Sequence, residues 1–375
     1  MKGYNFNAPI VMVVSGVLLI LVIVFQVLTT GSIPLNSLKN QQVKQHVKTS
    51  PLDVDTFLSY GDKWVIYRTL EGISGENLET GKTWKSEIYP PQNKVWTGSN
   101  GFAVMENDCI TAFSFKGDKI WSYTVKHKLS KFFGPVDGFA LLEEQSDQGS
   151  RVIAIDPKGE TLWEFPLDNL KLITAGMLPD KTFVLSLLEL NNSIESKILK
   201  FNEKGELLWA LGLAEAIVPF IGVHEKGIAA LESNRIISIS QDGKITKEIV
   251  LESIIRRAAF SKTGLIGVSF NKAARSSILK TKKRNVIELY DLNGNKKWGF
   301  ELENEVKGIE FGKEKPMIIT YTENEIFGIS EQGALLWEIP LDEKIDKIYV
   351  SGEGLPAVLK TSKKLLLLNY KGEPK

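Results

Sequence analysis

The sequence predicts an all-β fold: an eight-bladed β-propeller, with seven blades as the alternative, behind one N-terminal transmembrane helix. Three observations carry this expectation. A tight turn ending in glycine recurs eight times at intervals of 36–51 residues, the range of propeller blades. A tryptophan follows most of those glycines four residues later. From it runs a strand of strictly alternating polarity, which marks one buried face.

The turns end at Gly81, Gly117, Gly159, Gly205, Gly243, Gly294, Gly333 and Gly372. Seven of the eight open with Asp, Asn or Ser, the first opening with Leu78. Short polar side chains bond the backbone two residues on and start a type I turn. The closing glycine supplies the left-handed conformation of a bulged hairpin.

The strands that follow begin with Trp121, Trp163, Trp209, Trp298 and Trp337. Trp84 comes one residue early in the first copy, and Lys247 replaces the indole in the fifth, so those two units are expected to dock less tightly. Two apolar strands precede each turn, such as Gly138–Leu142 and Arg151–Ile155, and a fourth, innermost strand such as Lys131–Val136 fits between units. A lone four-stranded unit cannot bury both faces, so neighbours must stack and the ring must close. Only three residues follow Gly372. The last blade therefore needs an outer strand from elsewhere, and residues 42–49 are expected to supply it.

Ile10 to Leu28 reads IVMVVSGVLLILVIVFQVL and carries no charge. A helix of that length matches a hydrocarbon core of about 30 Å, and it exceeds the apolar core of a cleaved signal, about 7–15 residues. The chain thus divides into a tail at 1–9, a transmembrane anchor at 10–28, a polar tether at 29–41 and the propeller at 42–375. A cleaved signal is the runner-up. Lys39, Lys44 and Lys48 after the helix do not by themselves favour export. A short tail before a large domain behaves as a signal anchor, however, and the expectation is a single-pass membrane protein with its propeller outside the cytoplasm.

The stretch Ala154-Ile-Asp156-Pro-Lys-Gly159-Glu-Thr-Leu-Trp163 resembles the tryptophan-docking motif of the PQQ-like (quinoprotein-type) propellers, as does Asn77-Leu-Glu-Thr-Gly81-Lys-Thr-Trp84 with one residue deleted. The resemblance covers residues 42–375. It implies a propeller in which Trp84, Trp121, Trp163, Trp209, Trp298 and Trp337 act as structural docking residues. The quinoprotein dehydrogenases of that superfamily use a vicinal cysteine pair, and this chain has a single cysteine, Cys109. The similarity is to the non-enzymatic branch that includes the propeller assisting outer-membrane barrel assembly.

No catalytic, cofactor-binding or metal site is assigned from sequence. His46, His127 and His224 fall in different units and form no HxH or HExxH pattern. No GxSxG elbow, P-loop or dinucleotide fingerprint occurs. Cys109, in an apolar stretch, reads as a buried small hydrophobe. Glu143-Glu144 and Asp342-Glu343 read as solvated rims. Lys and Arg number 46 against 45 Asp and Glu, a balance that argues against a general nucleic-acid binder.

One segment departs from the repeat. The sixth unit is the longest, and the excess, Asn271 to Asn285, holds Lys272, Arg275, Lys280, Lys282, Lys283 and Arg284 with no acid. It reads either as a docking loop for an anionic partner or as a plain solvated hairpin tip. The sequence as a whole points to a non-catalytic protein-interaction or scaffolding module without cofactor, reaching the membrane through its helix. The alternatives are a small-ligand sensor or an envelope-polymer-modifying enzyme that uses the propeller channel.

Overall fold

The computed structural model describes residues 57–350, apart from 92–93, 99, 179, 191–193, 274–282 and 313–316, together with 32–33, 357–361 and 365–367. The segments predicted as anchor, residues 10–28, and as closing strand, residues 42–49, lie outside the described residues. So does the turn at Gly372.

The described chain is a β-propeller. Blade 3 shows the plan: Lys128–Val136, Phe139–Ser146, Gly149–Ile155 and Thr161–Pro166 pair in sequence order, all antiparallel. Alternation sets its two faces. Ala140, Leu142, Ile153 and Ile155 join the core shared with blade 2, whereas Leu141, Val152, Ala154 and Trp163 join the core shared with blade 4. Period two thus loads both sides of every sheet, as stacked blades require.

The innermost strands are Phe57–Gly61, Val95–Thr97, Lys128–Val136, Leu170–Met177, Phe220–His224, Ile255–Phe260, Gly308–Phe311 and Ile345–Val350. Each neighbours the next, and the last returns to the first. The Phe57 and Tyr349 rings meet edge to face there at 5.0 Å. The expectation of eight blades is corrected to its alternative, seven. Seven blades have four antiparallel strands, and the terminal sheet has three: Ile345–Val350, Ala357–Thr361 and Leu365–Leu367. Within the stretch read as a tether, Ser32 and Ile33 pair in parallel with Gly299 and Phe300, at the outer edge of blade 6.

The tryptophans sit at the seams. Trp84 donates its indole N–H to the Phe115 carbonyl at 3.0 Å, Trp209 to Gln241 at 2.9 Å and Trp298 to Glu331 at 2.8 Å. Each acceptor lies in the glycine turn of the next blade. The turn glycine leaves room for the ring, since a Cβ on Gly117, Gly205, Gly243 or Gly333 would stand 2.5–2.7 Å from the indole of Trp84, Trp163, Trp209 or Trp298 respectively. Trp121 instead donates to Gly138, at 2.6 Å. Trp163 is buried against Phe183 and Phe201, and its N–H has no hydrogen-bond partner.

Two details differ from expectation. The deletion before Trp84 does not loosen its seam. Blades 2 to 7 carry a bulge between the third strand and the start of the fourth, as at Ala112/Phe113, and that bulge consumes one residue. Blade 1 has no such irregularity, so Trp84 reaches the same lattice position opposite Gly75 with one residue fewer. Its turn is opened by Asn77 rather than Leu78, the Asn77 side-chain oxygen accepting from the Glu79 and Thr80 amides. At the fifth unit the Lys247 stem and Ile249 lie against Gly294 in place of an indole.

Candidate functional site

The ring leaves a cavity of about 740 Å³ on its axis, bounded by blades 1 to 4 and the terminal sheet. Its walls are the innermost strands. Alternation turns Phe57, Val95, Thr97, Phe133, Val136, Ala175, Met177 and Tyr349 toward it, and Trp96 and Phe132 pack together beside it at 4.8 Å. Lys347 is the one charged residue among those lining it, its ammonium 4.6 Å from the Tyr349 ring centre. Burial, with Tyr321 nearby, pushes the Tyr349 phenol above its ordinary pKa. The cavity lining presents aromatic faces and one cation, and holds no acid–base pair.

The acidic groups that sequence places on rims lie elsewhere. Glu143 and Glu144 are 4% and 1% exposed, because the second strand of blade 3 is covered on both faces by neighbouring blades. Glu144 accepts from the Lys126 amide at 3.0 Å and pairs with Arg151, which reaches on to Glu164 at 2.8 Å. Blade 5 repeats the arrangement with Glu232, Arg235 and Glu248. Glu143 stands opposite Lys131 on the neighbouring strand, and its Oε2 has no hydrogen-bond partner. Lys131 donates across the seam to the Leu172 and Ile173 carbonyls of blade 4. Burial holds its pKa below the ordinary lysine value, with Glu143 opposing that shift. In blade 6 the Tyr290 hydroxyl donates to buried Glu288, which also pairs with Lys296. Burial first, then that carboxylate, drives the phenol pKa far upward.

The predicted basic segment begins and ends in the paired strands Leu265–Ala273 and Lys283–Asp291 of blade 6. Arg275, Lys280 and Lys282 lie outside the described residues. Lys283 begins the returning strand. Lys272 and Arg284 stand opposite one another, and each is paired: Lys272 with Glu252 at 2.9 Å, Arg284 with Glu301 at 2.6 Å. The structure thus brings these two together at the hairpin base, whereas Trp84, Trp121, Trp163, Trp209, Trp298 and Trp337 lie in separate blades. His127 is exposed. His224 Nδ1 accepts from the Lys226 amide within a turn. Cys109 is half-buried rather than in the core, since it begins its strand next to the Glu106–Cys109 hairpin turn. Among the described residues no group of three or more His, Cys, Asp or Glu is placed to hold a metal ion, and no helix is long and apolar enough to cross a membrane.

The sequence offered the propeller channel only as an alternative binding place, without its full lining. That lining comes from seven strands spread between Phe57 and Tyr349, and no local pattern links them. The Glu–Arg–Glu clusters left a fainter signal: an arginine near the start of the third strand of both blades 3 and 5, with glutamates on the strands either side.

Fold and channel define the class of protein, a β-propeller. The chain belongs to a family of unknown function, DUF5711, whose profile matches residues 35–366. Comparison with curated proteins finds no match. Among solved structures, the Dos1 propeller is similar at a TM-score of 0.56 and 11% identity, over 88% of this chain and 96% of that one. The Pan2 WD40 domain of Neurospora crassa is similar at 0.51 and 11%, over 75% and 90%. BamB from Moraxella catarrhalis aligns at 0.49 and 12%, over 87% and 99%. The first two likenesses show the propeller fold.

Proposed function

We propose that this chain is a non-catalytic protein-interaction module of the PQQ-like repeat type, held at a membrane by residues 10–28 with its propeller on the extracytoplasmic side. The observation that carries the reading is the composition of the channel. In an enzyme built on this fold, polar groups from several innermost strands would converge near the axis. Here the residues lining the cavity are apolar apart from Thr97, Tyr349 and Lys347. Other charged groups sit between blades, on loops, or on innermost strands outside that lining, such as Arg256, Arg257 and Glu310. The longest unit, in blade 6, is free of acids from Asn271 to Asn285, which suits an acidic surface on a partner.

The experiment is co-purification from native membranes at rising salt, wild type against Lys280→Gln/Lys282→Gln/Lys283→Gln. A specific partner whose recovery falls several-fold in the variant, with thermal stability unchanged, supports the reading. Equal recovery of every partner removes the hairpin from it. The topology is tested by protease accessibility in sealed vesicles, and N-terminal mass analysis distinguishes anchor from cleaved signal.

A further inference from the structure

We infer that the axial cavity is a binding site for a small flat apolar molecule bearing a single negative charge, of the aromatic monocarboxylate class. The inference rests on three properties of the cavity. Its volume, about 740 Å³, falls within the range of about 300–1,000 Å³ that encloses small ligands. Its walls carry aromatic rings from successive members of the ring: Phe57 and Tyr349 where the ring closes, Trp96, Phe132 and Phe133 in the adjoining blades 2 and 3. Such surfaces gain most from a flat ring offered in stacked or edge-to-face geometry.

The third property is charge. Lys347 is the only lining residue that carries one. Its ammonium has no carboxylate partner among the described residues and rests over Tyr349, leaving donors free for an anion. Asp346 and Ile348 alternate away from it along the strand. A carboxylate at Lys347 would place an attached ring system over Tyr349 and Phe57. One cation and no acid in the lining also discriminate: a cationic ligand meets repulsion, and a dianion is left with one charge uncompensated. The glutamates of blade 3 take no part, since they face the seams between blades.

The experiment uses the full chain in nanodiscs of zwitterionic lipid, with empty nanodiscs as the blank, and 2-naphthoate as the probe against neutral 2-naphthol. Calorimetry is expected to show one saturable naphthoate site. Lys347→Gln should weaken naphthoate about tenfold or more, leave naphthol unchanged, and be rescued by Lys347→Arg. Phe133→Ala should weaken both probes. Far-UV circular dichroism and melting temperature establish that each variant is folded. Absence of saturable binding above the blank would overturn the inference, as would naphthoate affinity indifferent to Lys347→Gln. Tighter binding of octanoate than of naphthoate would overturn the aromatic assignment. None of these outcomes bears on partner capture by the blade 6 hairpin, so the two readings fail separately.

Discussion

The indole N–H of Trp209, in the outer strand of blade 4, donates to the carbonyl of Gln241 in the glycine turn of blade 5 at 2.9 Å. A residue of one repeat thus finishes a turn of the next. The Gln241 side chain extends the seam, donating to the His224 and Glu225 carbonyls and accepting from Lys200. Blade docking is therefore both apolar packing and a directed hydrogen bond. Trp209→Phe should lose the bond, at about 1 kcal/mol. Trp163→Phe should cost less, because the Trp163 N–H has no partner to lose. Urea midpoints of the two variants measure the difference. Trp163→Ala should cost about 3–5 kcal/mol.

The turn glycines should not be equivalent. Gly81 and Gly205 both have positive φ, +67° and +80°. A Cβ at Gly81 meets nothing within 4 Å, whereas at Gly205 it would lie 2.5 Å from Trp163 Cγ. Gly81→Ala should carry only the left-handed backbone penalty, about 1–2 kcal/mol. Gly205→Ala should cost visibly more, with hydrogen exchange rising at the seam between blades 3 and 4.

The seam without an indole is open to improvement. The Lys247 stem and Ile249 cover Gly294 where blades 1 to 4 and 6 place a tryptophan against the next turn glycine. Lys247→Trp should raise the melting temperature, by an increment of about 1 kcal/mol typical of filling an underpacked site. A fall would show that the turn at Gly294 has adapted to the lysine.

Stability should decline in alkali through Tyr290. Burial and the adjacent Glu288 raise its folded pKa above the ordinary 10.0. A raised acid contributes its stability fully below pH 10, and loses it as pH climbs higher because the unfolded chain releases the proton first. Tyr290→Phe should therefore lessen the loss of stability between pH 9.5 and about pH 11, read from urea midpoints across that window.

Lys131 ties blade 3 to two carbonyls of blade 4. Lys131→Met keeps the stem and removes the bonds to both carbonyls and the cation opposite Glu143. A loss of about 1–3 kcal/mol is expected, larger than that for an exposed pair such as Lys85–Glu71.

Much of this arrangement is legible in the residues. Asp156, Asn202 and Asp291 announce turns because a short polar side chain captures backbone amides within four residues. Trp163, Phe165 and Leu167 announce a half-buried strand by their alternation. The innermost strands were harder to read. Lys128–Val136 opens with charges and carries a bulge and a glycine, so its period is broken where it turns toward the axis. The glutamates at 143 and 144 misled for a related reason. Their polarity suggests a rim, and only the neighbouring blades reveal that both faces of that strand are covered.

By itself the sequence determined the unit: turn, strand polarity and the tryptophan that awaits a neighbour, all settled by interactions among residues a few positions apart. Tertiary structure decided what each unit meets. The bond from Trp84 to Phe115, the contact of Phe57 with Tyr349 and the cation at Lys347 within an aromatic wall join residues up to the full length of the ring apart. No local propensity encodes such distances. They arise because a sheet with two apolar faces can bury both only by stacking on its neighbours until the circuit closes.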